Sequence, residues 1–457
     1  MRFTRRLLDR RASSTLAIAS TLAFAGAAWS CADDNDVGPV HSPDASSDIV
    51  PSPQDAADED GSQPRDASFV DAAPLPVVCA SSSCATSLVT TLGASSTSRA
   101  EGFCALMHDG TVVCWGANDA GQLGRGDDAN AHDSATPARV VGLSEIVSLN
   151  HTCAIDKNGA AFCWGTGPFL QSDVEPLTIE RTPVKLPIPP ATRVSVSHET
   201  ACAVIAGGVS CWGSNADGQV APLDIEPRSA TLKPRQIPVA AGSPIHDIIV
   251  GRATFLLRDD GTLESWGANP PLGRRSPLFP DPTPRPIALG GFSAMDLMDD
   301  SACAAAGGVG YCWGSVVPKA SDPPTNSPNL TNALPEAVAM PEPVVQIAAT
   351  PNVVNDDFGA PIVQPRRWCT STTLGNVYCW GYNASGQAGD GTKDHAYKAV
   401  KVDGLPAPAA QVKTTPDATC ALLTTGKVYC WGSNFYGQLG NGKIKIASLV
   451  PQELVLP

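Results

Sequence analysis

The sequence predicts an all-β protein, a seven-bladed β-propeller preceded by an export signal and a disordered acidic tether. Three observations carry that expectation. A Trp-Gly pair recurs at Trp115, Trp164, Trp212, Trp266, Trp313, Trp380 and Trp431, at intervals of 49, 48, 54, 47, 67 and 51 residues, the length of one four-stranded blade. Each pair ends a β-rich run that follows a turn signal; in Cys104–Gly116 the turn is His108-Asp109-Gly110 between two apolar stretches. No long helical periodicity interrupts the series.

The cysteines sharpen the hairpin reading. Six units carry pairs: Cys104/Cys114, Cys153/Cys163, Cys202/Cys211, Cys303/Cys312, Cys369/Cys379 and Cys420/Cys430. The unit around Trp266 has Phe255 and Ser265 at the matching places, so both cysteines are missing together, as a bonded pair requires. Four pairs are ten residues apart and two are nine apart, the shorter ones turning through Ala206–Gly208 and Ala306–Gly308. One residue removed from the turn leaves the two cysteines facing each other. Opposed residues at a non-hydrogen-bonded site lie about 4.5 Å apart at Cα, within reach of a disulfide. The alternative is a set of reduced core cysteines. Zinc is disfavoured, because no Cys-x-x-Cys occurs.

The chain start reads as an address. In residues 1–30, Arg2, Arg5, Arg6, Arg10 and Arg11 precede the apolar run Thr15–Trp29, fifteen residues long and too short for a comfortable membrane span. Ala28-Trp29-Ser30-Cys31 resembles a lipobox, which makes Cys31 a lipidation site; the alternative is a cleaved secretory signal. Cysteine arithmetic favours the lipid: of fifteen cysteines the hairpins take twelve and Cys79/Cys84 two, leaving Cys31 single. Residues 31–78 then form the tether, rich in Asp, Ala, Ser and Pro. Eleven acidic residues there oppose Arg65 alone, a net of −10 in a chain of −14; with +4 on the signal, the body 79–457 carries −8. An acidic body without a basic run argues against nucleic acid.

The body 79–457 holds the seven units, each with four strand candidates; in the second they are Glu145–Leu149, Thr152–Ile155, Ala161–Trp164 and Thr182–Leu186. Two patterns are specific: His151-Thr152-Cys153-Ala154 with Gly159 and Cys163-Trp164-Gly165, and Gly116-x-Asn118-x-x-Gly121-Gln122-Leu123-Gly124-x-Gly126-Asp127. Together they resemble the repeat of the regulator of chromosome condensation (RCC1) family. The resemblance implies a seven-bladed propeller whose repeats are offset from its blades, the two chain ends sharing one blade, with Leu449–Leu456 paired near Ser87–Leu92. It also implies guanine-nucleotide exchange on a nuclear GTPase, which an export signal argues against.

No enzyme is expected. The histidines His41, His108, His132, His151, His198, His246 and His395 fit no catalytic motif, and Gly-x-Ser-x-Gly, His-Glu-x-x-His and Walker patterns are absent. Asp127, Asp128 and Asp133 lack the spacing of a calcium loop, and no cofactor or metal is called for. The expected function is a monomeric, lipid-anchored envelope module that binds a protein or polysaccharide. A structural envelope component without a ligand, or a regulator or inhibitor of a partner protein, is the alternative. Loop irregularity marks the working face. The third-to-fourth loop keeps Gly-Gln in the first, sixth and seventh units, and loses it in the second, fourth and fifth. Expected contacts are Phe169, Arg274, Arg275, Asn355, Asp356, Asp357, Phe358, Arg366 and Arg367, because Arg and aromatic side chains anchor interfaces.

Overall fold

The computed structural model describes residues 73–81, 83–93, 101–126, 132–172, 174–298, 301–314, 332–350, 353–355, 361–363 and 367–457. The signal, Cys31 and the tether as far as residue 72 lie outside them. Residues 73–78, read above as the end of the tether, are placed on the body: the Val78 amide donates to the Thr424 carbonyl at 2.7 Å, and Val77 packs on the core of the last blade.

The body is all β, with no helix among the described residues. Seven four-stranded antiparallel sheets, each consecutive in sequence, occupy residues 85–139, 146–185, 191–237, 245–286, 292–338, 344–401 and 409–454. They are blades one to seven of a β-propeller. In the second blade the strands are Ile146–Asn150, Cys153–Asp156, Ala161–Gly167 and Thr178–Lys185, within a few residues of the expected ones. First strands lie innermost and fourth strands form the exposed rim, as the mostly exposed Thr231–Ile237 illustrates. A two-stranded ribbon, Val353–Asn355 with Pro361–Val363, is inserted between the first and second strands of blade six.

The hairpin prediction holds in register. Across the ladder Cys104 faces Cys114, Cys153 faces Cys163, Cys202 faces Cys211, Cys303 faces Cys312, Cys369 faces Cys379 and Cys420 faces Cys430. All six hairpin disulfides have Cα–Cα distances of 4.0–4.1 Å. Cys79–Cys84 forms the seventh bond.

The pairs are bonded rather than reduced, and bonding leaves them in the core, as Cys379 shows. It is bonded to Cys369, yet it is also 1% exposed and packs in one apolar cluster with Cys303, Cys312, Trp380 and Trp431. Cys379 is therefore a core residue between blades as well as a disulfide partner, because a bridge at mid-strand lies on the sheet face that the next blade covers.

The shared blade does not occur. Ser448–Leu454 pairs with Val428–Gly432, and Ala85–Thr90 pairs with Gly102–Met107, so each end completes its own sheet. Apolar packing closes the ring instead. Ala85, Leu88, Phe103 and Trp115 of blade one share a buried cluster with Leu422, Val428, Leu439 and Leu454 of blade seven. That seam is built like the others because blades cannot bury both sheet faces alone.

Candidate functional site

The Trp-Gly signature explains how the loop face is held. In all seven blades the ladder between third and fourth strands slips at the tryptophan, from Cys114/Gly116 in the first to Cys379/Gly381 in the sixth and Cys430/Gly432 in the last. Such a bulge re-aims a side chain. The following glycine takes a positive φ, +103° at Gly116, where an added Cβ would sit 2.5 Å from the Glu101 carbonyl oxygen.

Freed from the ladder, six of these seven indoles reach back one blade, and Trp380 Nε1 alone finds no partner among the described residues. Trp164 Nε1 donates to the Gln122 carbonyl at 2.9 Å, Trp212 to Pro168 at 2.6 Å, Trp266 to Gln219 at 3.0 Å, Trp313 to Pro271 at 2.6 Å and Trp431 to Gln387 at 2.9 Å. Every acceptor lies in a third-to-fourth loop. Glutamine side chains extend the contact forward: Gln219 Nε2 donates to the Gly251 carbonyl, and Gln438 Nε2 to Glu101 Oε2, both in first-to-second loops. The two loop sets therefore share one face.

The opposite face is bonded differently. Tight-turn glycines offer their carbonyls to the next blade's first strand: Gly110 to the Ile146 amide, Gly159 to Ala191, Gly261 to Phe292, Gly308 to Val344, Gly375 to Ala409 and Gly426 to Ala85. The last of these closes the ring. A Cβ at Gly426 would fall 2.0 Å from Cys84 Sγ, so a larger residue there displaces the closing contact.

Several residues expected as contacts are interior. Phe169 is 1% exposed and follows Pro168 as Leu123 follows Gln122, so it fills the slot of the repeat's leucine. Arg274 is buried: Nη1 pairs with Asp281 at 2.7 Å and Nη2 donates to the Ser265 and Thr283 carbonyls. Burial raises the Asp281 carboxyl, but the Arg274 hydrogen bond and its neighbours outweigh that and hold it below the usual range. Arg125 of blade one makes the same stitch, to the Cys114 and Thr136 carbonyls, and the shared Leu-Gly-Arg at 123–125 and 272–274 was the overlooked signal.

Arg367 is 2% exposed and joins blade six to blade seven through the carbonyls of Thr415, Pro416 and Ala418 and the Thr419 hydroxyl. Burial brings its guanidinium down to about 10, against the opposing pull of Glu101 and Asp417. Arg275 is exposed. Asn355 ends one strand of the inserted ribbon. Asp356, Asp357, Phe358 and Arg366 lie outside the described residues, as do Asp127 and Asp128. Blade three also keeps Gly218-Gln219, so the regular loops number four, in blades one, three, six and seven.

Among its exposed residues the loop face presents a set of large apolar side chains. Large side chains exposed in or beside third-to-fourth loops are Val174, Leu177 and Ile179 in blade two, Ile225 in blade three, Leu278 and Phe279 in blade four, and Phe435, Ile444 and Ile446 in blade seven. The loop carrying Phe279 is pinned. Asn269 Nδ2 donates to the Ser276 and Leu278 carbonyls, Ser276 to Asp281, and Arg228 of blade three to the Phe279 carbonyl. Phe279 nonetheless stays 69% exposed. Phe435 is 55% exposed, flanked by Tyr436 and by the Lys445 ammonium 5.4 Å above its ring.

Two half-buried histidines, His151 and His198, follow the first strands of blades two and three. His151, at φ +47°, donates Nδ1–H to the Thr90 carbonyl at 2.9 Å, which assigns its tautomer. Burial lowers its pKa, and Lys413, 3.8 Å from Asp296, adds to that. Burial takes His198 down to about 4. No cluster of metal-ligating side chains occurs among the described residues.

Together these features define a closed seven-bladed propeller of tandem hairpin repeats with one variable loop face that exposes large apolar side chains. The regulator of chromosome condensation (RCC1) repeat matches residues 109–155 and 425–457, and a second model of the same repeat matches 410–438. The first match runs from blade one into blade two, so repeat and blade are offset. The chain thus carries RCC1 repeats at two places, one near each end of the propeller. It is 27% identical over 362 residues to the ultraviolet-B receptor UVR8 of Arabidopsis thaliana, across 73% of this chain and 76% of the receptor. It is 24% identical to human E3 ubiquitin-protein ligase HERC2 over 74% of this chain, which spans 6% of the ligase.

Prp20p of Saccharomyces cerevisiae, described with its binding to Gsp1p and histones, superposes with a TM-score of 0.58 at 19% identity, covering 75% of this chain and 85% of Prp20p. Human WBSCR16 gives 0.58 at 17% identity, covering 76% and 95%. At those identities the likeness concerns the fold.

Proposed function

We propose that this chain is an exported binding module that holds a protein partner on its third-to-fourth-loop face. The observation that carries the reading is the set of apolar side chains displayed there by blades two, three, four and seven. Contiguous exposed apolar surface marks interaction sites, and aromatic residues on ordered loops bind with little entropy cost. Seven disulfides suit an oxidising compartment, and Cys31 lipidation tethers the module to a membrane. Protein binding by Prp20p is consistent with this use of the fold.

The test is a pull-down from envelope fractions with Phe279→Asp/Phe435→Asp as bait, against Leu374→Asp/Val455→Asp on the tight-turn side. The account expects the partner to be lost from the first bait and kept by the second; the reverse pattern contradicts it. Cys31→Ala is expected to move the protein from the membrane pellet to the soluble fraction, and retention in the pellet contradicts the anchor.

A further inference from the structure

A cleft of about 740 Å³ opens between blades four and five on the rim of the ring. Its walls are Gly273–Arg275 from the third-to-fourth loop of blade four, Arg285–Leu289 from the fourth strand and link of that blade, and Tyr311, Leu334 and Pro335 from blade five. The lining combines two chemistries. Pro286, Ile287, Leu289, Leu334 and Pro335 give an apolar floor, and Leu334 is 42% exposed. Arg274, Arg275 and Arg285 supply the only charges in the lining, with no carboxylate among them.

The three arginines are not equivalent. Arg274 is neutralised by Asp281 and locked into the blade. Arg275 and Arg285 are exposed, and neither side chain shows a hydrogen bond or ion pair among the described residues. Two uncompensated guanidinium groups on one apolar cleft are unexpected on a chain with a net charge of −14. A guanidinium matches a carboxylate in bidentate geometry, and arginine is enriched where binding energy is concentrated.

We infer that this cleft binds an extended acidic segment of a partner protein, with carboxylates on Arg275 and Arg285 and intervening apolar side chains on Pro286, Leu289 and Leu334. The apolar floor favours a peptide over an acidic polysaccharide, whose hydroxylated rings leave that floor unmatched. The volume lies in the range of pockets that bury a few side chains. The inference rests on the protein-binding reading above and adds a second contact, on the rim, of opposite chemistry to the apolar face.

The experiment pans a displayed library of random dodecapeptides on the intact, oxidised chain, then titrates fluorescent copies of the enriched peptides by anisotropy. Expected peptides intersperse Asp or Glu with Leu, Val or Phe. Charge reversal in Arg275→Glu/Arg285→Glu is expected to weaken them by roughly tenfold or more, and added salt to weaken them further. Arg275→Lys/Arg285→Lys, which keeps charge and fold, should retain more affinity than the reversal. Phe279→Asp/Phe435→Asp should leave peptide affinity unchanged, so failure of the apolar face and failure of the cleft are read separately. Enriched peptides without acidic residues, or affinities indifferent to the arginine reversal, overturn the inference. So does arginine-dependent binding of polygalacturonate in the absence of any acidic peptide.

Discussion

The indole Nε1 of Trp115 donates a 2.9 Å hydrogen bond to the carbonyl oxygen of Gln438, 323 residues away, and so fastens the first blade to the last. The bond repeats the geometry that joins sequential blades, as in Trp164 with Gln122 and Trp431 with Gln387. Trp115→Phe keeps the packing body and leaves the buried Gln438 carbonyl without its donor. An unsatisfied buried group costs about 1–3 kcal/mol, and that loss of stability is expected in urea titrations. If the variant unfolds at the parent's midpoint, the closing bond contributes nothing.

Blade four replaces its disulfide with polar and aromatic contacts. Phe255 faces Ser265 across the ladder, Phe255 packs edge-on to Trp313 at 6.0 Å, and Ser265 Oγ donates to the Leu272 carbonyl. Phe255→Cys/Ser265→Cys is therefore expected to form a bond, seen by non-reducing peptide mapping. The chain-entropy gain of about 2–3 kcal/mol for such a loop is expected to be offset by the lost aromatic packing. A clear rise in the thermal midpoint would show that those native contacts matter little.

The same blade buries a second ion pair, Arg258 with Glu264 at 2.7 Å, and Arg258 also donates to the Ser243 and Ala240 carbonyls. Glu264→Leu strands a buried guanidinium and is expected to cost on the order of 3–5 kcal/mol. Replacing both partners, Arg258→Met/Glu264→Leu, should recover much of that loss. Equal destabilisation by the single and double variants would contradict the pairing argument.

His198 gives the fold a pH dependence of definite sign. Burial lowers its pKa from the usual 6.5 to about 4, against the pull of the Gly93 backbone, and nearby His151 lowers it further. Between those values the unfolded chain takes up a proton that the folded chain refuses. The contribution is complete above pH 6.5, falls as pH drops toward 4 and then levels off. His198→Gln should flatten the stability profile in that window, measured by urea midpoints at several pH values. An unchanged profile would show that His198 is not held neutral.

Much of the fold was legible because its signals are local and repeated. Trp-Gly spacing set the blade number, and the paired cysteines set hairpin register, since directly opposed strand residues leave little freedom. That Cys379 also packs between blades was not legible, because the spacing to Cys369 reports only its own hairpin. Closure was misread because it depends on packing between residues more than 300 positions apart, such as Leu88 with Leu454, which no local pattern announces. The candidate contacts fared less well for a related reason. Arg274 and Arg367 look like surface arginines in sequence, and only their carbonyl and carboxylate partners reveal them as internal ties. Phe169 resembled an exposed aromatic until its place in the leucine slot of the loop was seen. Phe279 and Phe435 carried no distinguishing sequence pattern, and their exposure emerged only with the loops folded.

The most direct test of the account is site-specific photo-crosslinking in intact cells that express the protein. A photoreactive phenylalanine analogue would replace Phe279 or Phe435 on the loop face and, as a control, Leu374 in a tight turn on the other face, where it is 65% exposed. The account predicts one shared protein adduct from Phe279 and Phe435, identified by mass spectrometry, and none from Leu374. An adduct confined to Leu374, or none from either loop-face position in cells that retain the folded protein, would contradict it.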